Sequence, residues 1–178
     1  MIDAENQVRF SKENRPFVRV SRDGELLPET KAVIATIAKH PLLVMATGHV
    51  SADEGILLLR EGRRQNVEHM VVTHAIQAPI VMDVPRMQEA ARLGAFIEFV
   101  GQSMTTADAR TRVDAIADAI RTVGPQFCIL SSDLGQKGNA LPPDGFAAFI
   151  LALRARGFSD QDLDRMSKQN PAKLLGLP

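Results

Sequence analysis

The sequence carries no excess of charge of either sign and almost no cysteine. Lysine and arginine together number 21 and so do aspartate and glutamate, which gives a formal net charge of zero. A neutral chain lacks the positive field that attracts nucleic acid or an anionic membrane, so we expect neither as a partner. The single cysteine, Cys128, lies inside an apolar run. It excludes an internal disulfide and favours a buried thiol without a chemical role.

Long apolar segments are missing as well. The longest apolar run extends from Phe146 to Leu153 and is far too short to span a membrane. The N-terminal segment MIDAENQVRFSKENR is polar and charged, whereas a secretory signal needs an apolar stretch. We therefore predict a cytoplasmic protein.

No linker, low-complexity stretch or block of charge divides the 178 residues, of which 45% are apolar. A chain of this length and composition can bury one hydrophobic core. We predict a single domain over residues 1–178. Its parts are an N-terminal extension at 1–27, four βα units at 28–158 and C-terminal helices at 159–178. In the extension, a short FVRV strand, the Asp23-Gly24 turn and the residues ELL indicate a hairpin.

Four short apolar runs predict β-strands, and helical periodicity follows each of them. The runs are Leu42 to Thr47, His69 to Thr73, Ala95 to Val100 and Phe127 to Ser131. Strands that alternate with helices form a parallel sheet, and such strands are continuously apolar because helices cover them. The pattern predicts an α/β fold.

Local signals set the bounds of the helices. Pro28 suits the first turn of one helix, and Ser51 with Glu54 forms a capping-box pattern after the first strand. Apolar residues at helical spacing predict further helices over Val84 to Leu93, Ala109 to Val123 and Asp144 to Arg156. Two short C-terminal helices follow, with Ser159 and Asn170 as their expected N-caps.

Four residues that can bind metal or move protons follow or end the predicted strands, one apiece: His49, His74, Glu98 and Asp133. Ligands bind at the carboxyl ends of strands in α/β folds, because the loops converge there. Each residue also has an ordinary structural explanation. His74 would be a hydrogen-bonded core histidine, Asp133 a turn former, and Glu98 the partner of a neighbouring arginine. Their joint placement favours an active-site rim.

The number of units leaves two architectures open. A closed (β/α)₈ barrel needs eight βα units and about 250 residues, so four units correspond to half a barrel. Four parallel strands with helices on both faces would also form a complete, doubly wound domain. No glycine-rich phosphate loop of the G-x-G-x-x-G or G-x-x-x-x-G-K-[ST] type follows the first strand. A nucleotide-binding version of the doubly wound fold therefore has no support.

Several segments together resemble one family. They are Ala46 to Ser51, Val71 to His74, Ile97-Glu98, Ser131 to Gln136 and Asn170 to Leu177. These segments are similar to the C-terminal half of the amidohydrolase superfamily, in particular to an uncharacterised branch of its metal-dependent TIM-barrel hydrolases. In that superfamily strand five ends in a metal-binding histidine, strand six in a second histidine and strand eight in an aspartate. His49, His74 and Asp133 occupy the matching places.

The resemblance implies a half or incomplete (β/α)₈ barrel that hydrolyses a C–N, C–O or P–O bond of a small molecule. His49, His74 and Asp133 would hold a divalent metal, with zinc expected first and manganese or iron as alternatives. Asp133 and His74 would be the catalytic residues, with Asp133 taking a proton from water and returning it to the leaving group. Glu98 and Gln136 would bind substrate or hydrogen-bond the metal ligands without contacting the metal.

The chain also departs from the superfamily pattern. The His-x-His of strand one and the bridging residue of strand four have no counterpart, since no two of the four histidines are separated by a single residue. His40, beside a proline at a helix end, and His69, at the start of its strand, we assign to structure. A half-barrel exposes strand edges that folded proteins cover or pair. We expect a homo-oligomer, or a partner chain that supplies the N-terminal half-barrel. The alternative function is a non-catalytic half-barrel remnant or assembly subunit without bound metal.

Overall fold

The computed structural model describes residues 3–105 and 107–177. The strands are β1 (Asp3–Ala4), β2 (Phe17–Val18), β3 (Ser21–Arg22), β4 (Glu25–Leu26), β5 (Val44–Ala46), β6 (His69–Val72), β7 (Ala95–Val100) and β8 (Cys128–Ser131). The α-helices are α1 (Glu5–Ser11), α2 (Pro28–Ala38), α3 (Ala52–Arg64), α4 (Val84–Arg92), α5 (Ala109–Val123), α6 (Pro142–Arg154), α7 (Asp160–Asp164) and α8 (Asn170–Leu174).

The centre of the fold is a four-stranded parallel sheet in the order β5-β6-β7-β8. Met45 pairs with Met70, and Met70 pairs in turn with Ala95. At the other side of the sheet Ile97 pairs with Cys128. Each strand lies beside the one that precedes it in the sheet, with a helix in between along the chain. The predicted α/β class with parallel βα repeats is confirmed.

The two faces of this sheet have different surroundings. Alternate residues of a strand point to opposite faces, and one set, which includes Met70, Ile97 and Leu130, packs with the helices in the hydrophobic core. The other set includes Ala46, which is exposed, and Phe96, which is half-buried. The core helices pack on one face of this sheet, as in half of a (β/α)₈ barrel, and not on both faces as in a doubly wound layer. The structure is a partial (β/α)₈ barrel.

The N-terminal extension forms two small pairs of strands. β1 pairs in parallel with β2, and β3 pairs with β4 in an antiparallel hairpin. The hairpin turns at Asp23-Gly24, where Gly24 has a φ of 80°, a backbone conformation that glycine adopts without strain. The hairpin is therefore confirmed at the expected turn. Its first strand is β3, however, since β2, the start of the FVRV segment, pairs with β1 instead.

Most of the helix bounds lie within two residues of those predicted. α2 begins at Pro28, and Ser51 caps α3 with a complete capping box. In that box the Glu54 backbone N–H donates to Ser51 Oγ at 3.3 Å, and the Ser51 N–H donates to Glu54 Oε2 at 3.0 Å. The predicted helix Ala109 to Val123 has the bounds of α5.

The prediction that Asn170 caps a separate helix is wrong. A π-helical turn at Arg165–Gln169 joins α7 to α8, so the chain stays helical through Asn170. The side chain of Asn170 points inward and donates hydrogen bonds to the carbonyl oxygens of Pro125, at 2.9 Å, and Cys128, at 2.6 Å. Because the Asn170 amide is bound to these carbonyls beside the start of β8, it does not cap a helix.

Within residues 3–105 and 107–177, no helix is both long enough and apolar enough to cross a membrane. Cys128 is fully buried in β8, and its thiol donates to the carbonyl oxygen of Gly124 at 3.3 Å. Burial raises the pKa of this thiol to about 12. The sulfhydryl is therefore protonated and enclosed, as expected for a cysteine without a chemical role.

Candidate metal centre

Three of the four candidate residues follow the carboxyl ends of the strands. His49, His74 and Asp133 lie in the loops after β5, β6 and β8, and all three line one open pocket. Gln136, the candidate substrate-binding residue, lines the same pocket. Glu98 lies lower, inside β7. The fold thus brings together the residues that the sequence indicated, with Glu98 beneath the other three.

The two histidines form a close pair. Their ring centroids are 4.9 Å apart and their planes are tilted by 41°. His74 is only 8% exposed, and its Nδ1 atom is buried without a hydrogen-bond partner. Buried polar atoms are almost always hydrogen-bonded, so an orphaned imidazole nitrogen needs an explanation. A metal ion is one partner that such a nitrogen can take.

The surroundings favour the neutral form of the His49 imidazole. Burial lowers the pKa of His49, and the nearby His74 lowers it further, while Asp3 and Asp133 act in the opposite direction. A neutral imidazole keeps a lone pair, which is the form that binds a metal. The electrostatic influence of Asp133 also indicates that its carboxylate lies near the histidine pair.

Two threonines extend the pairing of β5 and β6 up to the histidines. The Thr47 N–H donates to the carbonyl oxygen of Val71 at 3.1 Å, and the Thr73 N–H donates to Thr47 Oγ1 at 3.2 Å. In return the Gly48 N–H donates to Thr73 Oγ1 at 3.0 Å. These bonds fix the two strand ends against each other one residue before His49 and His74.

The backbone at this rim is unusual. His74 has a φ of 21° and Asp133 a φ of 48°, both in the left-handed region that non-glycine residues seldom adopt. Gly48, which precedes His49, has a φ of 65°. Strained backbone of this kind is concentrated at functional sites, where it sets the direction of a side chain.

Asp133 was also expected as a possible turn former that binds nearby backbone amides. Asp133 is exposed, and none of the side-chain hydrogen bonds observed among residues 3–105 and 107–177 involves its carboxylate. Its contribution to the turn is the left-handed conformation, which aspartate tolerates better than most residues. The carboxylate itself is left available to the pocket.

Glu98 bridges the ends of three strands. One carboxylate oxygen, Oε2, accepts the backbone N–H of His74 at 3.0 Å, and the other, Oε1, accepts the hydroxyl of Ser131 at 2.8 Å. Among the ion pairs of residues 3–105 and 107–177, none involves Glu98, so the alternative of an arginine partner is wrong. The reason is the position of Glu98 on the open face of the sheet, where its neighbours are strand ends.

Sequence analysis missed the contribution of the N-terminal extension. Asp3 places a carboxylate oxygen 3.9 Å from His49 Nδ1, and a hydrogen bond from Arg15 holds the pKa of Asp3 below its usual range. The side-chain amide of Asn6 donates to the carbonyl oxygens of His49, at 3.2 Å, and Pro79, at 3.0 Å. These contacts span 43 and 73 residues of sequence. No periodicity in the extension could have indicated them.

Amide side chains form another part of the pocket wall. Gln77, which is buried, donates from Nε2 to Gln102 Oε1 and to Ser103 Oγ, both at 2.8 Å. Arg112 also lines the pocket, and its Nε pairs with Asp108 at 2.9 Å. Such a wall offers hydrogen-bond donors and acceptors to a polar substrate.

The other two histidines lie away from the rim. His40 is exposed in the loop after α2. His69 begins β6 at the opposite end of the sheet, close to Gly176 in the C-terminal segment. Neither residue lines the pocket at the rim, and their structural roles stay a prediction.

The donor types at the rim suit a divalent metal, but the ligand set is incomplete. Over residues 3–105 and 107–177, no group of three or more His, Cys, Asp or Glu side chains is arranged to hold a metal ion. The observation in favour of a metal is the orphaned Nδ1 of His74 beside a second imidazole. Among the described candidate ligands, His49 and His74 have ring centroids 4.9 Å apart, and Asp3 lies 3.9 Å from His49 Nδ1.

A model of the family of unknown function DUF6282 matches residues 1–98, more than half of the 178 residues. The chain belongs to the DUF6282 family. No curated protein matches the sequence of this DUF6282 chain significantly.

Solved structures share the fold of this DUF6282 chain. An amidohydrolase from Burkholderia multivorans, solved with bound HEPES, is 15% identical with a TM-score of 0.59, over 85% of this chain and 59% of that one. An amidohydrolase from the same organism with bound zinc is 16% identical with a TM-score of 0.59, over 98% of this chain and 70% of that one. A TatD homologue from Escherichia coli K12 is 16% identical with a TM-score of 0.50, over 100% of this chain and 85% of that one.

At these identities the similarity establishes the fold. The DUF6282 chain has the architecture of the TIM-barrel amidohydrolases, as its sequence segments indicated. It spans 59% of the length of the first of these amidohydrolases. A partial barrel is thus what both the comparison and the sheet describe.

Proposed function

We propose that this chain carries part of the active site of a metal-dependent hydrolase of the amidohydrolase type. The observation that supports the proposal most directly is the histidine pair, with ring centroids 4.9 Å apart and a buried, unpartnered Nδ1 on His74. The amidohydrolase fold of the neighbours, one of which was solved with zinc, adds to that support.

The proposed cofactor is a divalent metal, zinc in the first place, with manganese or iron as alternatives. His49, His74 and Asp133 would hold it, because imidazole nitrogen and carboxylate oxygen are the usual ligands of such ions. A divalent metal at this place supplies Lewis acidity, which polarises the bond to be cleaved and promotes the ionisation of water.

The chain's own residues would then position the substrate and move a proton. The Asp133 carboxylate, which the left-handed backbone leaves free of local amides, would accept a proton from the attacking water and deliver it to the leaving group. Gln136 and the buried Gln77 would hydrogen-bond the polar groups of a substrate that contains a C–N, C–O or P–O bond.

The site would be completed by further protein. The open face of the sheet includes the exposed Ala46 and the half-buried Phe96, and within the described chain the edge strands β5 and β8 each have a single neighbour. Apolar faces and free edges of this kind are normally covered. We propose that a second copy or a partner chain supplies the missing ligands and forms the rest of the barrel.

One experiment tests the metal and the assembly together. The protein is purified without chelator, its metal content is measured by elemental analysis, and its mass in solution is measured by light scattering. Stoichiometric zinc, manganese or iron in a self-associated chain supports the hydrolase. A metal-free chain that also fails to take up zinc on titration contradicts it.

A second candidate function is a non-catalytic half-barrel that serves in assembly. The specific observation in its favour is that residues 3–105 and 107–177 contain no cluster of three ligands for a metal. This function predicts a metal-free protein whose assembly is unchanged by substitution of His49 and His74. The cytoplasmic location remains a prediction from the sequence.

A further inference from the structure

We infer that Glu98 is a positioning residue, which holds His74 in its metal-binding orientation by hydrogen bonds. This inference deepens the proposed function and rests on it for the consequence at the metal. The contacts that carry it are the bonds from the His74 N–H, at 3.0 Å, and the Ser131 hydroxyl, at 2.8 Å, to the two carboxylate oxygens.

The backbone of His74 creates the need for this carboxylate. Its φ of 21° lies outside the β-region of the preceding strand, and its N–H finds the Glu98 side chain as acceptor. The backbone N–H of the next residue, Ala75, donates to the carbonyl oxygen of Glu98 at 3.1 Å. Glu98 thus accepts two successive N–H groups, one with its carboxylate and one with its carbonyl.

Ser131 fixes the carboxylate in turn. It ends β8, pairs with Val100 across the sheet, and donates its hydroxyl to Glu98 Oε1. Hydrogen bonds to a charged carboxylate are stronger than those between neutral groups, so the two bonds restrict the rotation of the Glu98 side chain. The strand ends of β6 and β8 are therefore connected through one carboxylate.

The position of His74 depends on this connection. The imidazole is buried and its Nδ1 lacks a partner, so the ring has no hydrogen bond through that atom to set its direction. Its orientation therefore depends on the backbone that Glu98 holds and on packing against His49. Residues that orient metal ligands in this way typically change metal affinity by about 10- to 100-fold when removed.

Two variants of Glu98 separate the effect of its charge from the effect of its hydrogen bonds. Glu98→Gln keeps an oxygen that accepts the His74 N–H and gains an amide that donates to Ser131 Oγ, so both connections survive without the charge. Glu98→Ala removes both connections. If Glu98 were itself a metal ligand or a proton-transfer group, both variants would lose that function to the same extent. Glu68→Ala, an exposed glutamate at the opposite end of the same sheet, is the matched control.

The experiment first measures hydrogen exchange and ring contacts in the metal-free protein, and then measures metal affinity. Hydrogen exchange of the His74 amide and the nuclear Overhauser contact between the two imidazole rings are recorded by NMR, and cobalt(II) is then titrated by visible absorption. We expect Glu98→Ala to exchange the His74 amide about tenfold faster or more, to lose the ring contact, and to bind cobalt about 10- to 100-fold more weakly. Glu98→Gln and Glu68→Ala should resemble the parent.

Two outcomes overturn the inference. One is a Glu98→Ala variant with unchanged exchange and an unchanged ring contact, and the other is a Glu98→Gln variant as impaired as Glu98→Ala. If Glu98→Ala does not fold, Ser131→Ala decides, since faster exchange at His74 supports the inference and unchanged exchange opposes it. If the parent binds no cobalt, the proposed function fails, while the NMR measurements still decide the role of Glu98.

Discussion

The imidazole rings of His49 and His74 lie 4.9 Å apart, centroid to centroid, although 25 residues separate them along the chain. Their separation is set by the threonine bonds that continue the β5-β6 pairing beyond the strands. Imidazole binds a metal in its neutral form, and two rings at this spacing can act together on one cation.

The pair predicts a specific pattern of metal loss. His49→Ala and His74→Ala should each reduce the metal content of the purified protein, because each removes a nitrogen ligand. His69→Ala, at the other end of β6, should leave it unchanged. Elemental analysis checks the three variants together. Equal losses in all three would show that the metal is not at this rim, and no loss in any would show that the histidines bind none.

Asp133→Asn separates catalysis from turn formation. The variant keeps the size of the side chain and tolerates the left-handed backbone of this position, so the melting temperature should stay close to that of the parent. Turnover should fall by roughly 10² to 10⁴, the usual contribution of a positioned acid or base. The rates must be compared on the complete assembly or with the N-terminal half-barrel restored. A variant with parental turnover would remove Asp133 from the mechanism.

Asn6→Ala should loosen the rim without unfolding the chain. It removes two hydrogen bonds that join the loop after β5 to the loop after β6, and each such bond contributes about 0.5 to 1.5 kcal/mol. Hydrogen exchange should become faster in both loops. Ser11→Ala, which removes two hydrogen bonds within α1, is the control and should leave the loops unchanged. Loop exchange that is identical in the two variants would contradict the bridging role.

Glu61 predicts a dependence of stability on acid pH. Hydrogen bonds from Arg64, and to a lesser extent Gln65, lower the pKa of Glu61 from 4.5 to about 2. A carboxylate with a lowered pKa in the folded state stabilises the protein fully above the unfolded value and loses that effect as the pH falls towards the folded one. Urea unfolding of the parent and of Glu61→Gln should therefore differ at pH 7 and converge between pH 4.5 and 2. A constant difference would contradict this account.

The thiol of Cys128 should report global unfolding. Because burial raises its pKa to about 12 and encloses the sulfur, a thiol reagent should not react with the native protein at pH 8 on the timescale of minutes. Reaction should be complete at once in concentrated urea. The rate of labelling at intermediate urea should follow the loss of helical signal in circular dichroism. Fast labelling of the native chain would mean that β8 opens locally.

Features that depend on nearby residues were predictable from the sequence. The start of α2 at Pro28, the capping box of Ser51 and Glu54, and the bounds of β7 and α5 all follow from signals within a few residues. The carboxyl-end placement of His49 and His74 followed as well, because a parallel sheet brings successive strand ends to one edge. Local chemistry and one topological rule were enough for these elements.

Features that depend on distant partners were not predictable in this way. Asn170 has the sequence context of an N-cap, yet its amide binds carbonyl oxygens 42 and 45 residues away. Satisfying these buried carbonyls outweighs a local cap, since a buried carbonyl without a partner costs more than a cap contributes. Asp3 and Asn6 contact His49 because the N-terminal extension folds back onto the rim. No repeat or periodicity in the sequence predicts that path.

The anchoring of the C-terminal helices has a consequence for how the molecule can change. Asn170 secures the start of β8, while the candidate ligands lie beyond the finish of the strands. The contact that stabilises β8 and the residues of the proposed site therefore lie at opposite ends of the same strand. Substitutions or a grafted loop after β8 should alter the proposed site without weakening the Asn170 anchor.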